Sequence, residues 1–211
     1  MRERRTPENL RATEHARRRY ERQAALYHFA DSQIKTSWRL AALAYAWGEV
    51  LELGVGTGGN LPLYESGRVT HVTGVDFSRA MLARARRRAC AVPCDLQVMD
   101  VQELAFPDAT FDTVVATCVF CTVSDPVRGL REAARVVRPQ GRIVLLEHVR
   151  VGGLLGTVQD VLNPLALWLI GDNVNRRTVE NVRAAGLVPE RVDQVAGDIL
   201  QLIVARRGAL K

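Results

Sequence analysis

Lysine is almost missing from this 211-residue chain. Lys35 and Lys211 are its two examples, and arginine carries the rest of the positive charge. Long apolar runs are missing too: none approaches the roughly 18 residues a membrane-spanning helix needs. The N-terminus is charged throughout and lacks the apolar stretch of a secretory signal. With no signal peptide read, a reducing, cytoplasmic compartment is expected, and the four cysteines, at 90, 94, 118 and 121, are not expected to form structural disulfides. Cys118 and Cys121 have the spacing of half a zinc or redox site. Cys90 and Cys94 supply no matching second pair and the four histidines are scattered, so no metal site is expected. No internal repeat is visible. With 47% hydrophobic and 25% charged residues, the composition is that of one ordinary globular domain.

The positive charge sits mostly at one end. Residues 1–22 hold eight arginines and four glutamates, which is +4 of the formal +6. Residues 1–19 read as a basic N-terminal helix or tail, and 20–211 as the domain. A basic head suits an anionic membrane surface or a nucleic acid, although a solvated helix satisfies the same pattern. Few aromatics accompany it, which counts against nucleic acid.

From Tyr20 the pattern is helical: Tyr27, Ala30, Ile34, Trp38, Ala41 and Tyr45 form one stripe that ends at Gly48. Strands and helices then alternate. Strands are predicted at 49–53, 69–75, 95–99, 111–117 and 142–147. Helices are predicted near 60–64, over 79–89 behind a Ser78 cap, from Asp125-Pro126 to about 137, and over 178–185. Residues 191–195 and 199–205 read as a closing hairpin. Residues 151–175 are apolar but interrupted by Gly and Pro. This is the alternation of an α/β fold: a mainly parallel sheet, helices on both faces, and ligands at the carboxyl ends of the strands.

Glu52-Leu-Gly54-Val-Gly56-Thr-Gly58-Gly59 follows the first strand. It satisfies both G-x-G-x-x-G, the dinucleotide fingerprint, and E-x-G-x-G-x-G. Asp76 ends the second strand, where a carboxylate accepts ribose hydroxyls and repels a 2′-phosphate. Asp100 ends the third, placed to accept from an adenine amine, and Met81 lies at helical reach of Asp76 to cover the ring. An NAD enzyme and an adenosyl-cofactor enzyme both remain open on these residues.

Together, Glu52-x-Gly54-x-Gly56-x-Gly58, Val75-Asp76-Phe-Ser78, Met99-Asp100-Val101, Phe106-Pro-Asp108 with Phe111-Asp112, and Arg138-Pro-x-Gly141 resemble class I S-adenosylmethionine-dependent methyltransferases along residues 20–147. The resemblance implies a single Rossmann-like domain with a seven-stranded sheet whose last strand is antiparallel. It also implies S-adenosylmethionine as cofactor and S-adenosylhomocysteine as product. Glu52 would lie near the methionine amino group, and Gly54, Val55, Gly56, Thr57, Gly58 and Asn60 against the ligand. Asp76 would take the ribose with Phe77 and Met81 beside it. Asp100 and Val101 would take the adenine, and Thr117, Cys118 and Val119 would lie beside the transferable methyl.

An amine or thiol acceptor must lose a proton, so a base is sought among Tyr20, Tyr27, His28, Glu147 and His148. Tyr20-Glu-x-x-Ala-x-x-Tyr27-His resembles the N-terminal segment of quinone and phospholipid methyltransferases, with Glu21 and His28 where that pattern has Asp. The stretch Leu145-Leu-Glu147-His148-Val-Arg150, then Gln159-Asp-x-Leu-Asn163-Pro164 and Asn-Arg176-Arg177-Thr178, is similar to bacterial phosphatidylethanolamine N-methyltransferases and related membrane-associated proteins, some acting on thiols. The expected acceptor is therefore a phospholipid headgroup amine. Tyr20, Tyr27 and His148 are the catalytic candidates; Glu147, Arg176 and Arg177 are the substrate candidates, the arginines for a phosphate. A quinone ring carbon or a small thiol is the alternative acceptor. No Asn/Asp-Pro-Pro-Tyr/Phe motif follows the fourth strand, as a nucleic-acid methyltransferase would suggest. A cofactor-binding module without turnover is the other class. Residues 151–175 would form a lid over the acceptor side, its apolar surface meeting lipid, the domain itself or a second copy.

Overall fold

A computed structural model describes residues 6–7, 11, 13–14, 34–169, 173–197 and 199–208. Tyr20, Tyr27 and His28 lie outside the described residues, as does Ala30 of the helical stripe.

Seven strands form one sheet: β1 (Gly48–Leu53), β2 (Val69–Asp76), β3 (Cys94–Val98), β4 (Phe111–Thr117), β5 (Val137–His148), β6 (Leu187–Ala196) and β7 (Leu200–Arg207), in the order β3-β2-β1-β4-β5-β7-β6. The strands from β3 to β5 pair in parallel, and β7 runs antiparallel to both β5 and β6. The chain leaves β1 toward β2 on one side and resumes at β4 on the other, which opens a crevice at the β1/β4 carboxyl ends.

The central strands are buried on both faces, so they read as continuous apolar runs. Successive side chains alternate between two cores. Leu51, Leu53, Val114, Ile143, Leu145 and Ile203 pack on one side with Leu130, Ala133 and Val136 of α3 (Pro126–Val136) and Val182 of α5 (Thr178–Ala184). Val50, Val72, Val115, Val144, Leu146 and Leu202 pack on the other, with Ala42 and Leu43 of α1 (Thr36–Leu43) and Leu82 and Ala85 of α2 (Arg79–Ala85). Ser78 caps α2 by accepting from the Met81 N–H, and Asp125 caps α3 by accepting from the Arg128 N–H, with Pro126 in the first turn.

Several boundaries depart from the sequence expectation. Pro139 and Gly141 read as breakers, yet β5 runs through them. The missing Pro139 N–H is accommodated where the β4–β5 register shifts between Phe111 and Thr113. β6 begins at Leu187 rather than 191, because its exposed, charged pattern is that of an edge strand, with shifts at Pro189/Arg191 and Gln194/Ala196. Residues 61–63 form a single 3-10 turn with Pro62 inside, not a helix over 60–64. The helix after Ser78 ends at Ala85 rather than 89, leaving Arg86, Arg87 and Arg88 beyond it. Ala41 is exposed; the described part of the first helix buries Arg39, Ala42 and Leu43 instead. Residues 151–175 are largely one helix, α4 (Gly153–Leu169), with Pro164 inside it. No helix among the described residues is long and apolar enough to cross a membrane.

Candidate cofactor and active site

A cavity of about 140 Å³ opens at the carboxyl ends of β1 to β5. Its first wall is the turn after β1. Gly54 has φ +59°, and a Cβ there would come 2.6 Å from Val119 Cγ2, so the loop passes close under β4 only because Gly54 has no side chain. Gly56 (φ +55°) turns its N–H onto Asp76 Oδ2 at 2.9 Å, while Ser78 N–H donates to Oδ1 at 2.8 Å. The Asp76 carboxyl is thus pinned by two amides at the tip of β2. Burial raises its pKa from 3.8 to about 6, against the pull of those two hydrogen bonds.

The second wall follows β3. Asp100 Oδ1 accepts from the Gln102 N–H at 2.9 Å, and Gln102 Nε2 lies 3.2 Å from the same oxygen. Gln102 is buried and also donates to Thr13 Oγ1 at 3.1 Å, while its Oε1 accepts from Ser124 Oγ at 3.0 Å and the Asp125 N–H at 3.1 Å. Met81, Met99 and Val101 add apolar surface. The third wall is the end of β4. Thr117, Cys118 and Val119 line the cavity, with Cys118 at φ +53°. His148 closes it from β5, and burial lowers its pKa by disfavouring the charged imidazolium.

Twelve of the residues singled out in the sequence meet here: Gly54, Gly56, Thr57, Asp76, Phe77, Met81, Asp100, Val101, Thr117, Cys118, Val119 and His148. Others do not line the cavity. Val55 and Gly58 sit behind the loop, packed on Gly74 and on Leu61 and Ala85. Glu52 is buried; its oxygens accept from Asn60 Nδ2 at 3.0 Å and Tyr64 Oη–H at 2.8 Å. Asn60 also donates to Thr117 Oγ1 at 3.1 Å and accepts from Arg39 Nη1 at 2.8 Å. These two residues brace the glycine loop from beneath.

The expected pocket-facing Glu147 is corrected by strand alternation: its neighbour His148 takes the cavity, so Glu147 turns into the core. It is fully buried, and its Oε1 accepts from the N–H groups of Val119 (2.8 Å) and Phe120 (3.2 Å), fixing the turn that carries Cys118. Arg176 and Arg177 are not brought to the cavity either. Arg176 Nη2 donates to Val123 O at 2.7 Å behind the wall, and Arg177 is exposed and pairs with Glu180 at 3.4 Å. Among the described residues, none of α4 lines the cavity. The sequence reading missed Thr13, Ile34, Met99, Gln102, Thr122, Val123 and Ser124. Gln102 was within reach of it, two residues past Asp100, whereas Thr13 stands in an arginine-rich stretch with no local signal.

The donor set suits an adenosyl group, which both cofactors left open contain, and the comparisons decide between them. Carboxylates at the β2 and β3 tips suit two ribose hydroxyls and an exocyclic amine. Apolar walls suit the base, and the braced turn suits a short charged tail. Residues 51–145 match the sequence pattern of a family described as Methyltransferase domain. The phosphatidylethanolamine N-methyltransferase of Cereibacter sphaeroides is 44% identical over 146 residues, 65% of this chain and 71% of that protein. The chain belongs to the S-adenosylmethionine-dependent methyltransferases. The demethylmenaquinone methyltransferase of Thermus thermophilus is 34% identical over 172 residues, covering 79% of this methyltransferase and 76% of that protein. The fold is shared with a solved S-adenosylmethionine-dependent methyltransferase from Thermotoga maritima at TM-score 0.67 and 22% identity, covering 91% of this chain and 99% of that one.

Proposed function

We propose that this methyltransferase N-methylates the headgroup amine of a phosphatidylethanolamine-type lipid. The observation that carries the reading is the half-buried His148 on the wall of the cavity that Cys118 and Val119 also line, its pKa lowered by burial. Bound S-adenosylmethionine supplies an activated methyl on a sulfonium. The chain must align the acceptor, exclude water and take up a proton. Asp76 would hold the ribose, Asp100 and Val101 the adenine rim, and Gly54, Gly56 and Thr57 the amino-acid end. An ammonium headgroup must shed a proton before attack, and the His148 imidazole is the group on this wall that would accept it. The similarity to the Cereibacter sphaeroides enzyme supports the choice of amine over other acceptors. A quinone ring carbon is the second reading, favoured by the similarity to the Thermus thermophilus enzyme. The protein would meet a lipid acceptor at a membrane surface.

Incubation with labelled donor and phosphatidylethanolamine vesicles tests this. Label in the lipid, lost in His148→Ala with cofactor affinity retained, is the expected result. Absence of labelled lipid at every headgroup composition contradicts it.

A further inference from the structure

Helix α4 is built inside out. Three of its polar side chains bond back to the protein: Gln159 donates to Val174 O at 3.0 Å and accepts from the Val151 N–H at 2.8 Å. Asp160 pairs with Arg150 at 2.7 Å and accepts from Asn175 at 3.0 Å, and Asn163 donates to Asn173 at 3.3 Å. Its apolar side chains face out. Leu154 is 86% exposed, Leu155 70%, Val158 51%, Val161 73%, Leu162 49% and Leu165 52%. At 100° per residue these six fall on one arc about 120° wide, and the three polar residues that bond back to the protein fall on the opposite side. Asp160 is the one charged residue of the helix; it lies off the stripe, half-exposed and paired with Arg150.

We infer that this stripe docks on the apolar face of a lipid surface and sets the cavity against it. A second copy of the chain is the weaker fit. The six side chains expose on the order of 600 Å², so even complete burial falls short of the about 800 Å² per partner of a stable interface. Charges that would fix the register of a helix pair are absent from the stripe. A lipid surface needs neither the extra area nor the register, and an uncharged stripe of leucine and valine matches hydrocarbon. The helix is also tied to the cavity. Asn173 donates through both its backbone and side-chain N–H groups to Cys121 O, each at 3.0 Å, next to lining residues Thr122 and Val123. The contact itself follows from α4 alone; its use, delivery of a bilayer-resident acceptor, rests on the lipid reading above.

Flotation of the full chain with neutral phosphatidylcholine vesicles is the test, run with and without about 0.5 M salt, which screens charge but not apolar contact. The chain is expected to float at both. Leu155→Gln with Leu162→Gln is expected to weaken binding at least tenfold while calorimetry shows unchanged S-adenosylmethionine affinity. Should the double variant misfold, Leu154→Gln at the most exposed position gives the same comparison. Failure to float overturns the inference. So does flotation that salt abolishes and the substitutions spare, or a dimer in sedimentation that the same substitutions dissolve. Methylation of a short-chain, water-soluble phosphatidylethanolamine without flotation would sink the docking and keep the lipid reading. Flotation with no methylated amine lipid would do the reverse.

Discussion

Asp76 concentrates the electrostatic cost of the site in one side chain. Its carboxyl is held at about 6 by burial, above the 3.8 of the free group. A raised acid contributes stability below the ordinary value and loses it as pH rises through the raised one. The stability advantage of wild type over Asp76→Asn should therefore shrink by roughly 3 kcal/mol between pH 3 and pH 7. Denaturant melts of the two proteins measure it, and a constant difference would remove the shift. Ligand binding runs the other way, because ribose hydroxyls donate best to the ionised form. S-adenosylmethionine affinity by calorimetry should fall up to about tenfold per pH unit below 6. At Gly54 the constraint is steric. Gly54→Ala places a methyl against Val119 at a left-handed φ, costing about 2 kcal/mol in a thermal melt.

At the scale of elements, the turn after β4 depends on a side chain from its neighbour. Glu147→Leu leaves the Val119 and Phe120 amides without their carboxylate. A loss of about 3 kcal/mol in denaturant stability is expected, with a fall in kcat larger than the change in KM. Glu147→Gln, which keeps the acceptor, should recover most of both. The sequence made the strands legible where burial on both faces left unbroken Val and Leu runs, as in Val114–Ala116 and Ile143–Leu146. It made the cofactor site legible where glycines and acids sit at strand ends. It could not show which way Glu147 turns, since Glu and His in succession fit either register. Nor could it show β5 running through Pro139, or Arg39 buried against Asn60, because each depends on a partner distant in the chain. The apolar character of 151–175 was plain, but its inverted orientation on the domain was not.

At the scale of the whole molecule, one described residue of the basic head meets the cavity. Thr13 reaches the cavity rim and shares hydrogen bonds with Gln102 and Ser124. Deleting residues 1–19 should weaken S-adenosylmethionine binding several-fold while the melting temperature of the domain stays nearly unchanged; equal affinity would return the head to a solvated tail. The cavity-lining acids and glycines lie on strand tips that the sequence displays, whereas none of α4 among the described residues lines the cavity. The most direct measurement mixes phosphatidylethanolamine vesicles, a demethylated quinone and a small thiol with the protein and a deuterated methyl donor. Mass spectrometry then follows where the label goes. Deuterium on the headgroup nitrogen is the predicted result; deuterium confined to the quinone or the thiol, or to none of the three, would contradict the account.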